Sequence, residues 1–402
     1  MAARDRWRGW QHVISPGPGG KRPPCTLKPE GLALHWSLEL GGRKLFIPLT
    51  PMSTPTSHLI FLGTYTRSTS QGIYAVRLDD ETGELSAPVL AAATPNPSWI
   101  TLSPDRKFLY AIHESAAQAV GFAIEGARLT PLPAEKAPAA NAPSHLAVDA
   151  TGRVLLGAHY RDGRTLAIPL RADGTLGAPT FIAHTGSGPH PERQTKSYVH
   201  SVTLSPDNRF AIFCDLGVDK IFSYALDSAA AQLTPATPPF VATAPGAGPR
   251  HFKFGADGRH AYAINELDNT IAVYGYSAAT GALTPQQVVP TLPPDFKGAN
   301  ITAEIRVHPN GKFLYGSNRG HDSIAVFAID TATGLLTHVA TTPSGGKAPR
   351  NFDLSPNGKW LVCGHQDTDI VTVFRVDATT GKLTPTPHSA AVPMCVCVVF
   401  YD

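Results

Sequence analysis

One short ending recurs seven times along this chain, and a tandem repeat restricts a fold more than composition can. It is seen at Thr82-Gly83-Glu84-Leu85, Gly126-Ala127-Arg128-Leu129, Asp173-Gly174-Thr175-Leu176 and Ala231-Gln232-Leu233. It returns at Thr280-Gly281-Ala282-Leu283, Thr333-Gly334-Leu335-Leu336 and Thr380-Gly381-Lys382-Leu383. The leucines lie 44, 47, 57, 50, 53 and 47 residues apart. A second element recurs six times: Ser103-Pro104-Asp105, Asp149-Ala150-Thr151, Ser205-Pro206-Asp207, Gly255-Ala256-Asp257, His308-Pro309-Asn310 and Ser355-Pro356-Asn357. Both elements are turn chemistry, because Pro presets φ, Asp and Asn bond their own backbone, and Gly accepts positive φ. Between them lie short alternating strands such as Ile324-Ala325-Val326-Phe327. No segment sustains a helical period.

Each repeat therefore holds four strands, an inner A and then B, C and D, and repeats of this length are propeller blades. Six repeats carry their own A strand, whereas the first starts at B with Leu59-Ile60-Phe61-Leu62. The apolar tail from Met394 to Phe400 can supply the missing strand. Closing the ring that way removes two open sheet edges. The expectation is an all-β, seven-bladed β-propeller over residues 52–402, with the C-terminal strand completing the first blade.

Residues 1–51 do not share the repeat. They carry eight Lys/Arg against three Asp/Glu and the proline-glycine run Ser15-Pro16-Gly17-Pro18-Gly19-Gly20. They read as an N-terminal extension, disordered or arising from a misplaced translation start, with an Arg-rich targeting peptide as the alternative. No apolar run of signal-peptide length follows the basic start.

Apolar residues make up 42% of the chain, which excludes a disordered composition. A net charge of +3 gives no general reason to bind nucleic acid. No stretch approaches the ~18 apolar residues of a membrane span. Cys25, Cys214, Cys363, Cys395 and Cys397 form no C-x-x-C pair, so they read as buried small groups in a reducing, cytoplasmic setting. Cys395 and Cys397, two apart on one strand, should face the same side. Nothing in the sequence specifies an oligomeric state.

Equivalent positions of a repeat should carry similar residues if they only pack. Counting from the Asp, Thr or Asn of each A–B turn, strand A starts six and seven positions earlier. Strand B ends nine positions later, at the same end of the blade. The A starts are Ser98-Trp99, Ser144-His145, His200-Ser201, Arg250-His251, Ala303-Glu304 and Arg350-Asn351. The B ends are Glu114, Tyr160, Leu216, Glu266, Arg319 and Gln366. Partly buried charges need partners, so this rim reads as a polar pocket for an anionic small molecule. Arg250, Arg319 and Arg350 can grip carboxylate or phosphate oxygens, and an arginine can stabilise an oxyanion. His200 and Glu266 are the candidate proton-transfer groups, with Glu266 ionised and His200 neutral among cations. His145 and His251 stand beside them as candidate contacts. Arg193 sits in the long loop Gly186–Gln194, which can act as a lid. His58, His113, His260, His308 and His338 read as structural. There is no Gly-x-Ser-x-Gly elbow, zinc motif, Walker loop or dinucleotide fingerprint, so no metal or cofactor is expected.

The chain resembles the propeller-type lactonases, a family that includes bacterial 6-phosphogluconolactonases and fungal 3-carboxy-cis,cis-muconate lactonizing enzymes. The resemblance is carried in order by Gly63-Thr64-Tyr65-Thr66, Arg193-Gln194, His200-Ser201, Asp215-Leu216-Gly217-Val218-Asp219, Gly248-Pro249-Arg250-His251, Asn265-Glu266-Leu267 and Ser317-Asn318-Arg319-Gly320-His321-Asp322. It implies a seven-bladed fold and a His, two Arg and a Glu about the substrate, which by motif are His200, Arg250, Arg319 and Glu266. The family's preceding Pro-His is replaced by Ser197-Tyr198. The function this implies is hydrolysis of 6-phospho-D-glucono-1,5-lactone to 6-phosphogluconate, in the pentose phosphate route, with Arg350 as a phosphate contact. The alternatives are a cycloisomerase or lactonase acting on a carboxymuconate-type ring, and a non-catalytic propeller that presents its rim to a protein.

Overall fold

The computed structural model describes residues 35–40, 43–48, 57–113, 118–133 and 142–401. The chain divides between Thr54 and Pro55 into two units. In the first, strands His35–Leu40 and Arg43–Pro48 pair antiparallel, with His35 opposite Pro48. The second unit consists of seven four-stranded antiparallel sheets, and its described residues include no α-helix. Each sheet runs A-B-C-D from the inside outward, as the repeat requires. The inner strands pack against one another in succession and the series returns to its start, so the sheets are the blades of a closed propeller. Closure uses the C-terminal strand Cys395–Phe400, which pairs with Ser57–Thr64 in the first blade.

The two repeated turns have separate jobs. In Ser103-Pro104-Asp105, Ser103 Oγ donates to Asp105 Oδ1 at 2.7 Å and accepts from Phe108 N at 3.0 Å, which sets the start of strand B. The same pair of bonds recurs at Ser205 and Ser355. The Thr-Gly turn locks one blade to the one before it. Gly174, Gly281 and Gly381 have φ of 81°, 74° and 72°. A Cβ there would strike the ring of Phe108, Phe210 or Phe313 on the previous blade. Tyr110 and Tyr315 add hydroxyl bonds to the carbonyls of Gly174 and Gly381, at 3.0 and 2.9 Å. Glycine recurs here for positive φ and for close approach together.

The core is distributed as apolar layers between neighbouring blades. One layer joins Phe210, Ile212 and Cys214 of the fourth blade to Phe252, Ala263 and Tyr274 of the fifth. The four described cysteines are free and buried, while Cys25 lies outside the described residues. Cys395 and Cys397 do not share a face. Cys395 packs with Val398 and Val362 on one side, and Cys397 with Ile100 and Phe61 on the other. The cause is a register shift: Gly63 pairs with Cys397 but Thr64 with Cys395, leaving Val396 as an extra residue that flips the alternation.

Candidate active site

The same irregularity recurs around the ring and builds the site. His200 is the extra residue between the pairs Val199–Asp215 and Ser201–Cys214. Arg250 occupies that place between Pro249–Asn265 and His251–Ile264, and Arg350 between Pro349–His365 and Asn351–Gly364. A bulge re-aims the side chain it carries. Here Val396, His200, Arg250 and Arg350 all turn into one cavity of about 530 Å³ at the start of the inner strands. Glu266, Arg319 and Tyr160, at the ends of B strands, line the same cavity. Among the described residues its lining contains six arginines (67, 161, 193, 250, 319 and 350) and one carboxylate, Glu266.

That carboxylate is held by three guanidinium groups. Glu266 Oε2 accepts from Arg250 Nε at 2.8 Å and from an Arg319 terminal nitrogen at 3.0 Å, while Oε1 accepts from Arg193. Burial alone would raise the Glu266 pKa. Arg319, Arg250 and Arg193 reverse this and hold it well below the usual carboxylate range. Arg250 also donates to Ala303 O at 2.6 Å, and Arg319 to Thr302 O at 2.7 Å. Both arginines are thereby fixed in place and remain charged.

The imidazole of His200 has no hydrogen-bond partner among the described residues, and its Nδ1 is buried. Burial, then the charges of Arg250 and Arg350, push its pKa well below 6.5, so the ring is neutral. His251 accepts from Arg250 at 3.1 Å through Nε2, which leaves its proton on Nδ1, 3.2 Å from Glu304 Oε2. Arg350 forms no ion pair among the described residues. Its guanidinium lies over the face of Tyr65, 5.7 Å from the ring centre.

The loop that carries Arg193 is anchored rather than loose. Gln194 is fully buried and its amide nitrogen donates to Leu216 O at 2.8 Å and Asp219 Oδ1 at 2.7 Å. Asp219 also accepts from Gly248 N at 2.8 Å and Gly246 N at 2.7 Å, just ahead of Arg250. Between the two aspartates, Gly217 packs so closely that a Cβ would collide with the Lys196 carbonyl. Asp215 accepts from Ser197 Oγ at 2.6 Å and contacts His184 Nδ1 at 2.9 Å.

The family model "Lactonase, 7-bladed beta-propeller" matches residues 59–400. The chain belongs to this lactonase family. It is 35% identical over 350 residues to the 6-phosphogluconolactonase of Bacillus subtilis (strain 168), covering 86% of this chain and 99% of that one. A solved structure of a protein from Lactobacillus plantarum superposes with a TM-score of 0.81 at 36% identity, over 86% of this chain and 100% of the other. A periplasmic gluconolactonase from Pseudomonas aeruginosa gives 0.79 at 32% identity, over 86% and 99%.

Of the eight residues singled out from sequence, seven line the lactonase cavity: Arg193, His200, Arg250, His251, Glu266, Arg319 and Arg350. His145 does not. It lies behind the wall, stacked on Trp99 at 3.8 Å, edge-on to His251 at 5.2 Å. In its blade the counterpart of His200 is Ser144, which does line the cavity, whereas His145 is one residue further along the strand, paired with Ala158. Glu114 lies outside the described residues. Tyr198, at the family's histidine position, stacks on Tyr160 at 4.8 Å. Tyr65, Arg67, Asn96 and Arg161 also line this lactonase cavity and were missed. Tyr65 directly follows a B strand, as Glu266 does. The ruler used on the other blades starts at an A–B turn, and the first blade has none because its A strand comes from the far end of the chain.

Proposed function

We propose that this lactonase opens 6-phospho-D-glucono-1,5-lactone to 6-phosphogluconate, and that residues 52–402 carry the activity. One observation carries this reading: a cavity with six arginines and one carboxylate among its described residues also holds a buried, neutral histidine whose ring makes no hydrogen bond. Such a site attracts an anion and offers it a base. The 6-phosphogluconolactonase relative supports the choice of substrate.

His200 takes a proton from water as the water oxygen bonds to the lactone carbonyl carbon. Charge building on the carbonyl oxygen is met by Arg250 and Arg319, which Glu266 already orients, so little reorganisation is needed. The ring C–O bond then breaks, and the imidazolium returns the proton to the leaving oxygen. Glu266 is the weaker base, since three cations hold its lone pairs. Its role is to space the arginines. Arg193 and His251 complete the wall that contacts substrate.

We further place the protein in the cytoplasm, a reading supported by four free cysteines. No described helix is long and apolar enough to cross a membrane. A protein-presenting rim finds little support: among the described residues the exposed large apolar side chains, Val89, Leu90, Phe240, Val288 and Leu335, are not in the cavity lining. Turnover of freshly generated 6-phosphogluconolactone beside a carboxymuconolactone tests the substrate. Hydrolysis of the phospho-lactone well above its spontaneous rate is the expected result, and preference for the carboxymuconolactone would overturn it.

A further inference from the structure

A second, smaller recess of about 340 Å³ opens between the sixth and seventh blades. It shares Ile301, Arg319 and Arg350 with the main cavity, so these side chains border both spaces. It adds Lys347 and Gln366, neither of which borders the main cavity.

The cations of the recess are not paired with its two acids, Asp322 and Asp367. Arg319 is committed to Glu266 and to Thr302 O. Neither Lys347 nor Arg350 has an ion pair among the described residues. The two acids of the recess are already engaged. Asp322 Oδ1 accepts from Ala348 N at 2.8 Å and Gly320 N at 3.2 Å, and Asp367 Oδ1 from the Gln366 amide at 3.0 Å. The backbone of Lys347 is fixed on both sides: its N donates to Thr368 Oγ1 at 3.0 Å and its carbonyl accepts from Asp367 N at 3.3 Å. Lys347 and Arg350 thus stand beside a void whose wall also carries Asp322 and Asp367, and form no ion pair with either.

We propose that this recess is the phosphate pocket of the lactonase, with Arg350 and Lys347 binding the ester phosphate of the substrate. The proposal rests on the phospho-lactone reading above. In that substrate the phosphate hangs on a one-carbon arm outside the ring, so it needs a pocket beside the point of attack rather than at it. Arg350 spans the wall between the two spaces and meets both needs. A guanidinium offers paired donors to phosphate oxygens, and Lys347 adds a point charge from the outer side.

The test compares Arg350→Gln and Lys347→Gln with the native protein on 6-phosphogluconolactone and on unphosphorylated gluconolactone. The ratio of kcat/KM for the phosphorylated over the plain lactone should fall about tenfold or more in each variant, mostly through KM. An unchanged ratio, with both lactones affected alike, overturns the phosphate pocket. Calorimetry with 6-phosphogluconate and gluconate separates this from the broader reading. If native protein hydrolyses neither lactone, the proposed reaction fails. The pocket then stands only if 6-phosphogluconate binds the native protein more tightly than both variants, and falls if all three bind it alike.

Discussion

The side-chain amide of Gln194 donates to Asp219 Oδ1 at 2.7 Å, joining the Arg193 loop to the turn after the fourth blade's second strand. Asp219 also holds Gly246 N and Gly248 N, which lead into Arg250. One carboxylate therefore sets the approach of two arginines to Glu266. Replacing it by Ala leaves buried amide donors unpaired, at a cost of about 1–3 kcal/mol each. Asp219→Ala should lower both the melting temperature and kcat/KM, although it touches no substrate. Native kinetics in a folded Asp219→Ala protein would show that the clamp does not position the arginines.

Glu266→Gln removes the charge that three guanidinium groups share. The side chains of Arg250 and Arg319 are only 3% and 10% exposed, so their charges lose compensation in a buried place. Breaking such a pair costs about 3–5 kcal/mol. The variant should melt at lower temperature and regain more stability from added inorganic phosphate than the native protein does. Differential scanning calorimetry with and without phosphate reads both effects. Equal phosphate stabilisation of the two proteins would mean that Glu266 does not neutralise the cavity.

The pH profile follows from His200. Its folded pKa is lowered, first by burial and then by Arg250, so the neutral base persists as pH falls through 6.5. Background-corrected kcat/KM should stay level from neutrality to 6.5 and decline only well below it. Glu266 works in the same direction: its depressed pKa means that its stabilising charge is present above the ordinary 4.5 and is lost only as pH falls through the lower folded value. An acid limb centred at 6.5 or above would assign the base to a different group.

Among the described residues no group of three or more His, Cys, Asp and Glu could hold a metal ion. The proposed chemistry uses arginine and histidine alone. Exhaustive treatment with a chelator should leave lactone hydrolysis unchanged, and restoration of lost activity by a divalent cation would contradict that.

Much of this was written in the repeat. Thr-Gly and Pro-Asp turns at regular spacing specify blades, because their local chemistry is the same wherever the blade sits. The rim residues stood out because His200, Arg250, Glu266 and Arg319 break that repetition with groups that packing does not need. What the repeat could not show was register. The repeat put His145 one place after the position of His200, but only the structure shows that the earlier place, held by Ser144 and His200, turns into the cavity in both blades. The same blind spot hid the flip between Cys395 and Cys397. Lys347 escaped notice because it lies in a loop before the A strand, where the repeat has no fixed spacing.

The central claim is that a neutral His200 removes the proton from water while Glu266 only arranges cations. The most direct measurement is kcat/KM for 6-phosphogluconolactone in folded His200→Gln protein, corrected for spontaneous hydrolysis. General-base removal predicts a loss of about 10²–10⁴-fold, carried by kcat. Near-native turnover in that variant would contradict the account.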